Sequence, residues 1–313
     1  MVMYEEDFVF NSRGMNLFTC VWKPAKEEPK ALIFLCHGYA MESSISLKSA
    51  ATRLAKAGFA VYGIDYEGHG KSEGLNGYIS NFDDLVDDVS IHYSSICERE
   101  KNKGKMRFLL GESMGGAVAL LLARKKPNFW DGAVLVAPMC KLADEVKPHP
   151  IVISILIKLS WFIPTWKIVP GNDIIDIAIK EPHIRDQVRE NKYCYKGRPR
   201  LNTAYELLKV SLDLEKNLHQ VSIPFIVIHG EEDKVTDKGV SKLLYEVASS
   251  SDKTFKLYPN MWHALLYGET LENSGIVFGD IINWLEDRVS DSNGGLEREL
   301  KHGNDELMLL KHN

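Results

Sequence analysis

"FLLGESMGGAVALLLAR", residues 108–124, sets a serine between glycines where an apolar run gives way to a helix-like one. The residues before Ser113 have the continuous apolar character of a strand buried on both faces. Gly111-Glu112-Ser113-Met114-Gly115 fits the pattern G-x-S-x-G. A strand-to-helix turn this tight holds the serine backbone in a strained conformation, and only small neighbours let it close. The hydroxyl is then pushed out of the sheet, with a helix N-terminus behind it that favours negative charge. The plainer alternative is a glycine-rich helix start capped by its serine.

Outward from this turn the same alternation repeats. "ALIFLCHG" (31–38), "FAVYGIDYEGHG" (59–70), "GAVLVAP" (132–138) and "IPFIVIHGEED" (223–233) read as buried strands that run into loops. Helical spacing separates them over 46–58, about 83–101, 114–126 and about 237–249, and a strand at 253–259 precedes a last helix at about 273–288. At the N-terminus, "DFVFNSRG" and "NLFTCVWKP" form a hairpin around Arg13-Gly14. The predicted fold class is α/β, a mostly parallel central sheet with helices on both faces. From Met139 to about Val221 helix-like patterns and prolines replace the strands. This segment is expected to be a helical insertion, a cap over the strand ends where open sheets bind ligands. The expected organisation is a core of residues 1–138 and 222–289, a cap of 139–221, and a flexible tail of 290–313.

Composition narrows the function. The chain has 313 residues, 45% hydrophobic and 26% charged, with a net charge of −5. Neither a basic stripe nor a nucleic-acid-binding motif is present. Cys20, Cys36, Cys97, Cys140 and Cys194 are scattered and odd in number, which disfavours a disulfide framework or zinc site and fits a reducing, cytoplasmic setting. The most apolar run, "IVISILIKLSWFI" (151–163), is too short to span a bilayer.

A serine hydroxyl is a weak nucleophile and needs a base. In this topology an acid and then a histidine should follow, each on a loop after a late strand. Asp233 in "HGEEDKVTD" is the acid candidate; Glu231, Glu232 and Asp237 are its rivals, the last better read as a helix N-cap. His263 in "YPNMWHALLYGE" is the base candidate, since His302 and His312 lie in the tail. The oxyanion donors would be the backbone N–H groups of Met114 and, after the first buried strand, Tyr39. His37 and His69 read as loop-shaping hydrogen bonders. No metal or organic cofactor is implied.

The motifs "HGYAMESS", "GHGKS", "GESMGG", "VLVAPMCK", "HGEEDKVTD" and "MWHALLYGE" occur in an order and spacing similar to those of the monoacylglycerol lipase family of α/β-hydrolases. The plant branch, which includes caffeoylshikimate esterases, is the most similar. The resemblance spans about residues 4–289. It implies the α/β-hydrolase fold, a triad of Ser113, Asp233 and His263, and Tyr39 and Met114 as oxyanion donors. Tyr39 departs from the small residue the lipases carry there.

The expected activity is carboxylic-ester hydrolysis through an acyl-enzyme, on a monoacylglycerol or a hydroxycinnamoyl ester of the caffeoylshikimate type. An acyltransferase using the same acyl-enzyme, or a ligand receptor on a hydrolase fold, are the alternatives. Within the cap, Trp161, Phe162, Trp166 and Tyr195 are candidate substrate contacts. "KGRPR" (196–200) is either a carboxylate contact or a solvated loop. The apolar run of the cap either packs onto the core or touches a membrane surface peripherally.

Overall fold

In a computed structural model the alternation becomes one eight-stranded sheet. The structure describes residues 1–140, 158–168 and 173–309, with side chains described as far as residue 290. The strands are β1 (Val2–Phe10), β2 (Asn16–Pro24), β3 (Leu32–Cys36), β4 (Ala60–Ile64), β5 (Arg107–Glu112), β6 (Gly132–Val136), β7 (Phe225–Gly230) and β8 (Lys253–Tyr258). They lie in the order β1-β2-β4-β3-β5-β6-β7-β8. The β1–β2 hairpin is antiparallel and joins β4 antiparallel, while every later pairing is parallel.

Alternating side chains supply both faces of the sheet. On β3, Leu32, Phe34 and Cys36 enter one core cluster and Ile33 and Leu35 the other. The first cluster is covered by α2 (Phe82–Glu98), α3 (Met114–Lys125) and a later helix, Leu201–Asn217, through residues such as Val89, Val118 and Leu214. The second is covered by α1 (Lys48–Lys56) and the last helix, through Leu54, Phe278 and Leu285. Burial on both faces is why these strands read as unbroken apolar runs.

Between β6 and β7 the described residues form helices and no strand: 158–162, α4 (Ile174–Ala178), α5 (Pro182–Glu190) and α6 (Leu201–Asn217). The helix α6 is tied to the core, since Thr203 Oγ1 accepts from Ile79 N–H and Glu206 Oε2 from Phe82 N–H, at 3.0 and 2.9 Å. After β7 come α7 (Lys238–Val247), β8 and α8 (Leu271–Leu309). The backbone of α8 thus carries on through residues read from the sequence as a loose tail. The stretch "LERELKHGNDELMLL" (296–310) is rich in strong helix formers, which outweigh its polarity. All five cysteines are free and buried. No helix among the described residues is long and apolar enough to cross a membrane.

From β3 the chain steps to β4 on one side and then crosses to β5 on the other. The loops leaving β3 and β5 therefore diverge, and open a crevice at the strands' C-terminal ends.

Candidate active site

Ser113 sits at that crevice, directly after β5, with φ 55° and ψ −120°. A non-glycine residue rarely adopts this conformation. It is held there by its neighbours: Ser113 N–H donates to Val136 O, and Ser113 O accepts from Gly116 and Met139 N–H. The flanking glycines are sterically required. A Cβ on Gly115 would lie 1.8 Å from Cys36 O, and one on Gly111 would lie 2.3 Å from Gly115 O. Close docking of α3 on the end of β3 thus aims the helix N-terminus at the serine.

The loop after β3 passes against Ser113, since a Cβ on Gly38 would be 3.5 Å from Ser113 Cβ. Neither Tyr39 N–H nor Met114 N–H donates to an acceptor among the described residues. The Tyr39 side chain turns away to donate to Gly77 O at 3.0 Å. His37 and His69 shape this loop without entering the cavity: His37 stacks on Tyr66 and accepts from Tyr66 N–H. Burial pulls both imidazoles down, to about 3 and about 4, which keeps them neutral.

Two later loops bring an acid to a base. Glu231 N–H donates to Tyr258 O and Glu232 N–H to Met261 O, which zips the loop after β7 to the loop after β8. His263 Nδ1 then lies 2.7 Å from Asp233 Oδ2. A carboxylate is acceptor-only, so Nδ1 carries the proton and Nε2 is left as the base. Asp233 Oδ1 accepts from Val235 and Thr236 N–H. His229 Nε2 lies 3.0 Å from Oδ2. Burial opposes the Asp233 charge, but His263 and His229 outweigh it and hold the carboxyl far below its usual range. Burial alone would depress His263; the charge and hydrogen bond of Asp233, with Glu112 beyond, raise it instead. Of the rival acids, Glu231 and Glu232 face solvent, and Asp237 caps α7 by accepting from Gly239 N–H.

Ser113 and His263 line one cavity of about 310 Å³. Aliphatic residues, among them Met41, Ile175, Ala178, Ile179, Val188 and Val235, make up one part of its wall. Tyr195 is also on the wall, with Lys196 and Arg198 beside it. Trp161, Phe162 and Trp166 are not among the lining residues; they are 80, 83 and 58% exposed on the outside of the inserted segment. Of the four candidate substrate contacts, Tyr195 alone lines this cavity among the described residues. An apolar run alone does not say which side of a cap faces in. Residues 151–157 of that run lie outside the described residues.

A buried polar residue of the cavity escaped the sequence reading. Glu112 is buried, its Oε1 has no hydrogen-bond partner among the described residues, and burial pushes its carboxyl up to about 7. As a variable position inside G-x-S-x-G it gave no signal. Among the described residues no group of His, Cys, Asp and Glu could hold a metal ion.

Comparison with known proteins shows the family to which the chain belongs. The family model for serine aminopeptidase, S33 (Hydrolase_4), matches residues 27–270. Caffeoylshikimate esterase of Arabidopsis thaliana is 34% identical over 284 residues, covering 90% of this chain and 85% of that one. Human monoglyceride lipase is 32% identical, covering 90% of each. The crystal structure of a soluble variant of monoglyceride lipase from Saccharomyces cerevisiae, in complex with a substrate analog, superposes with a TM-score of 0.79. It is 22% identical and covers 91% of this chain and 94% of that one.

Proposed function

Because the chain belongs to the serine aminopeptidase S33 family of α/β-hydrolases, with monoacylglycerol lipases and caffeoylshikimate esterase among its relatives, we propose that it hydrolyses carboxylic esters through an acyl-enzyme on Ser113. The observation that carries this reading is the 2.7 Å pair of Asp233 and His263 on the cavity that the strained Ser113 lines. His263 Nε2 takes the Ser113 proton as Oγ attacks the ester carbonyl, and returns it to the leaving alcohol. Asp233 fixes the tautomer and stabilises the imidazolium. The N–H groups of Tyr39 and Met114 receive the oxyanion, each contributing about 3 kcal/mol to the transition state. Water then repeats the attack on the acyl-enzyme.

The aliphatic wall favours an acyl chain, so a monoacylglycerol is the leading substrate. The inserted segment acts as a cap over it, and the exposed Trp161, Phe162 and Trp166 suit a peripheral lipid contact. A hydroxycinnamoyl ester is the second reading, favoured by the Tyr195 ring with Lys196 and Arg198 on the same wall. The test sets the wild type and Ser113→Ala against monoolein and caffeoylshikimate. Turnover of monoolein, abolished by the substitution, supports the first reading; turnover of caffeoylshikimate alone supports the second. Binding without turnover of either overturns the hydrolase assignment for these substrates.

A further inference from the structure

We infer that His229, buried on β7, is a positioning residue for the reaction centre: it holds the Asp233 carboxylate, and Ser241 sets its tautomer. This rests on the reading that Asp233 and His263 serve Ser113.

His229 interrupts the run Phe225-Ile226-Val227-Ile228, every member of which is buried. An imidazole in such a place is costly unless its nitrogens are bonded. Both are. Strand alternation puts His229 on the face of Phe225 and Val227, toward α7, which carries Ser241. There His229 Nδ1 lies 2.8 Å from Ser241 Oγ. On the other side Nε2 faces Asp233 Oδ2 at 3.0 Å and Thr236 O at 3.3 Å, which only accept, and Thr236 Oγ1 at 3.4 Å, whose proton goes to Asp233 Oδ2 or Ala137 O instead. The proton therefore belongs on Nε2, and Nδ1 accepts from the Ser241 hydroxyl.

The same carboxylate oxygen thus takes two imidazoles, His263 at 2.7 Å and His229 at 3.0 Å. The chain Ser241–His229–Asp233–His263 runs from the core toward the cavity. It has two effects. The carboxylate cannot rotate without breaking the buried His229 contact, so His263 keeps its aim. Thr236 Oγ1 also donates to Oδ2, at 2.9 Å, and the His229 N–H beside it further lowers the oxygen's basicity, which tempers how strongly it stabilises the His263 imidazolium. Among the described residues, the titratable groups facing His263 are Asp233 and, from the end of β5, Glu112; the one facing His229 is Asp233. Neither Ser241 nor Thr236 titrates.

The test uses the full chain with His229→Leu, His229→Gln and Ser241→Ala, each checked for folding by circular dichroism. The readout is the rate of Ser113 labelling by an alkyl fluorophosphonate across pH, which needs no knowledge of the natural substrate. With His229→Leu, labelling slows by about 100-fold, as a misaimed base implies, and its acid limb moves to higher pH. His229→Gln, which keeps a donor, recovers most of the rate. Ser241→Ala moves both quantities in the same direction by less. Imidazole ¹⁵N NMR of the wild type finds His229 protonated on Nε2. Loss of thermal stability alone, with labelling rate and acid limb unmoved in His229→Leu and Ser241→Ala, would overturn the proposal. So would an Nδ1-protonated His229. If instead wild-type Ser113 is not labelled at all, the failure lies with the underlying reading of the nucleophile, while the NMR result still judges the contact.

Discussion

The backbone N–H of Tyr195, in the inserted segment, donates to the carbonyl of Ala40 at 2.9 Å, one residue past Tyr39. Ala40 itself sits at φ 64°, so its strained turn is held partly by the segment inserted between β6 and β7. Asn191 reinforces the link by donating from Nδ2 to buried Glu42 Oε1 at 3.1 Å. The cavity wall and the loop that presents the Tyr39 N–H are one connected unit.

That connection makes Gly77 sensitive although it bonds to no reacting group. Its φ is 68°, and a Cβ there would lie 2.3 Å from Tyr195 Cδ1. Gly77→Ala should displace the Tyr195 ring and disturb the Ala40 turn. Steady-state kinetics on a short soluble ester should show kcat falling about ten-fold, the equivalent of 1.4 kcal/mol of barrier. Tyr39→Phe, which keeps the backbone donor, should change kcat far less.

The nucleophile turn makes a stability prediction. Gly115→Ala drives a methyl into the Cys36 carbonyl, which is backbone and cannot swing aside. Denaturant unfolding should show a loss of about 3 kcal/mol, with activity lost even in the folded fraction.

The acid limb of activity follows from His263. Its conjugate acid is held above the ordinary imidazole range, and the protonated ring cannot accept the Ser113 proton. Activity should therefore rise with pH through a value above that range. Asp233 stays ionised throughout, because its carboxyl is held far lower. Glu112→Gln removes a negative charge that helps raise His263, so the limb should move to lower pH. A pH–rate profile of kcat/KM for both proteins checks the sign.

The exposed aromatics carry a separate expectation. Trp161→Ser combined with Phe162→Ser should weaken partitioning to phosphatidylcholine vesicles by about 100-fold or more, at about 1.5–3 kcal/mol for each of the two large apolar side chains withdrawn from water. Hydrolysis of a short soluble ester should stay near the wild-type rate, since neither residue lines the cavity.

The strands, the helix starts and the candidate residues Ser113, Asp233 and His263 were legible because each lies where a local pattern begins or ends. Ser113 and Asp233 each follow a strand whose apolar run is readable, whereas the strand before His263 is mixed and half-buried, and that histidine was found by its order after Asp233 and before the last helix. Glu112 and His229 were hidden for the opposite reason: each occupies a strand position where local pattern reports only burial. What they do depends on contacts across the sheet. The inserted segment was legible as helical, but not as to which side faces in. Trp161 and Tyr195 have similar local credentials, yet one is 80% exposed and the other lines the cavity.

The central claim is tested most directly by mixing the protein with monoolein, quenching in acid, and measuring both released glycerol and the mass of the Ser113 peptide. The account predicts glycerol release dependent on Ser113, with an oleoyl adduct on that peptide that accumulates when Asp233→Asn or His263→Gln slows its hydrolysis. Glycerol release that survives Ser113→Ala, or an acyl group found on another residue, would contradict it.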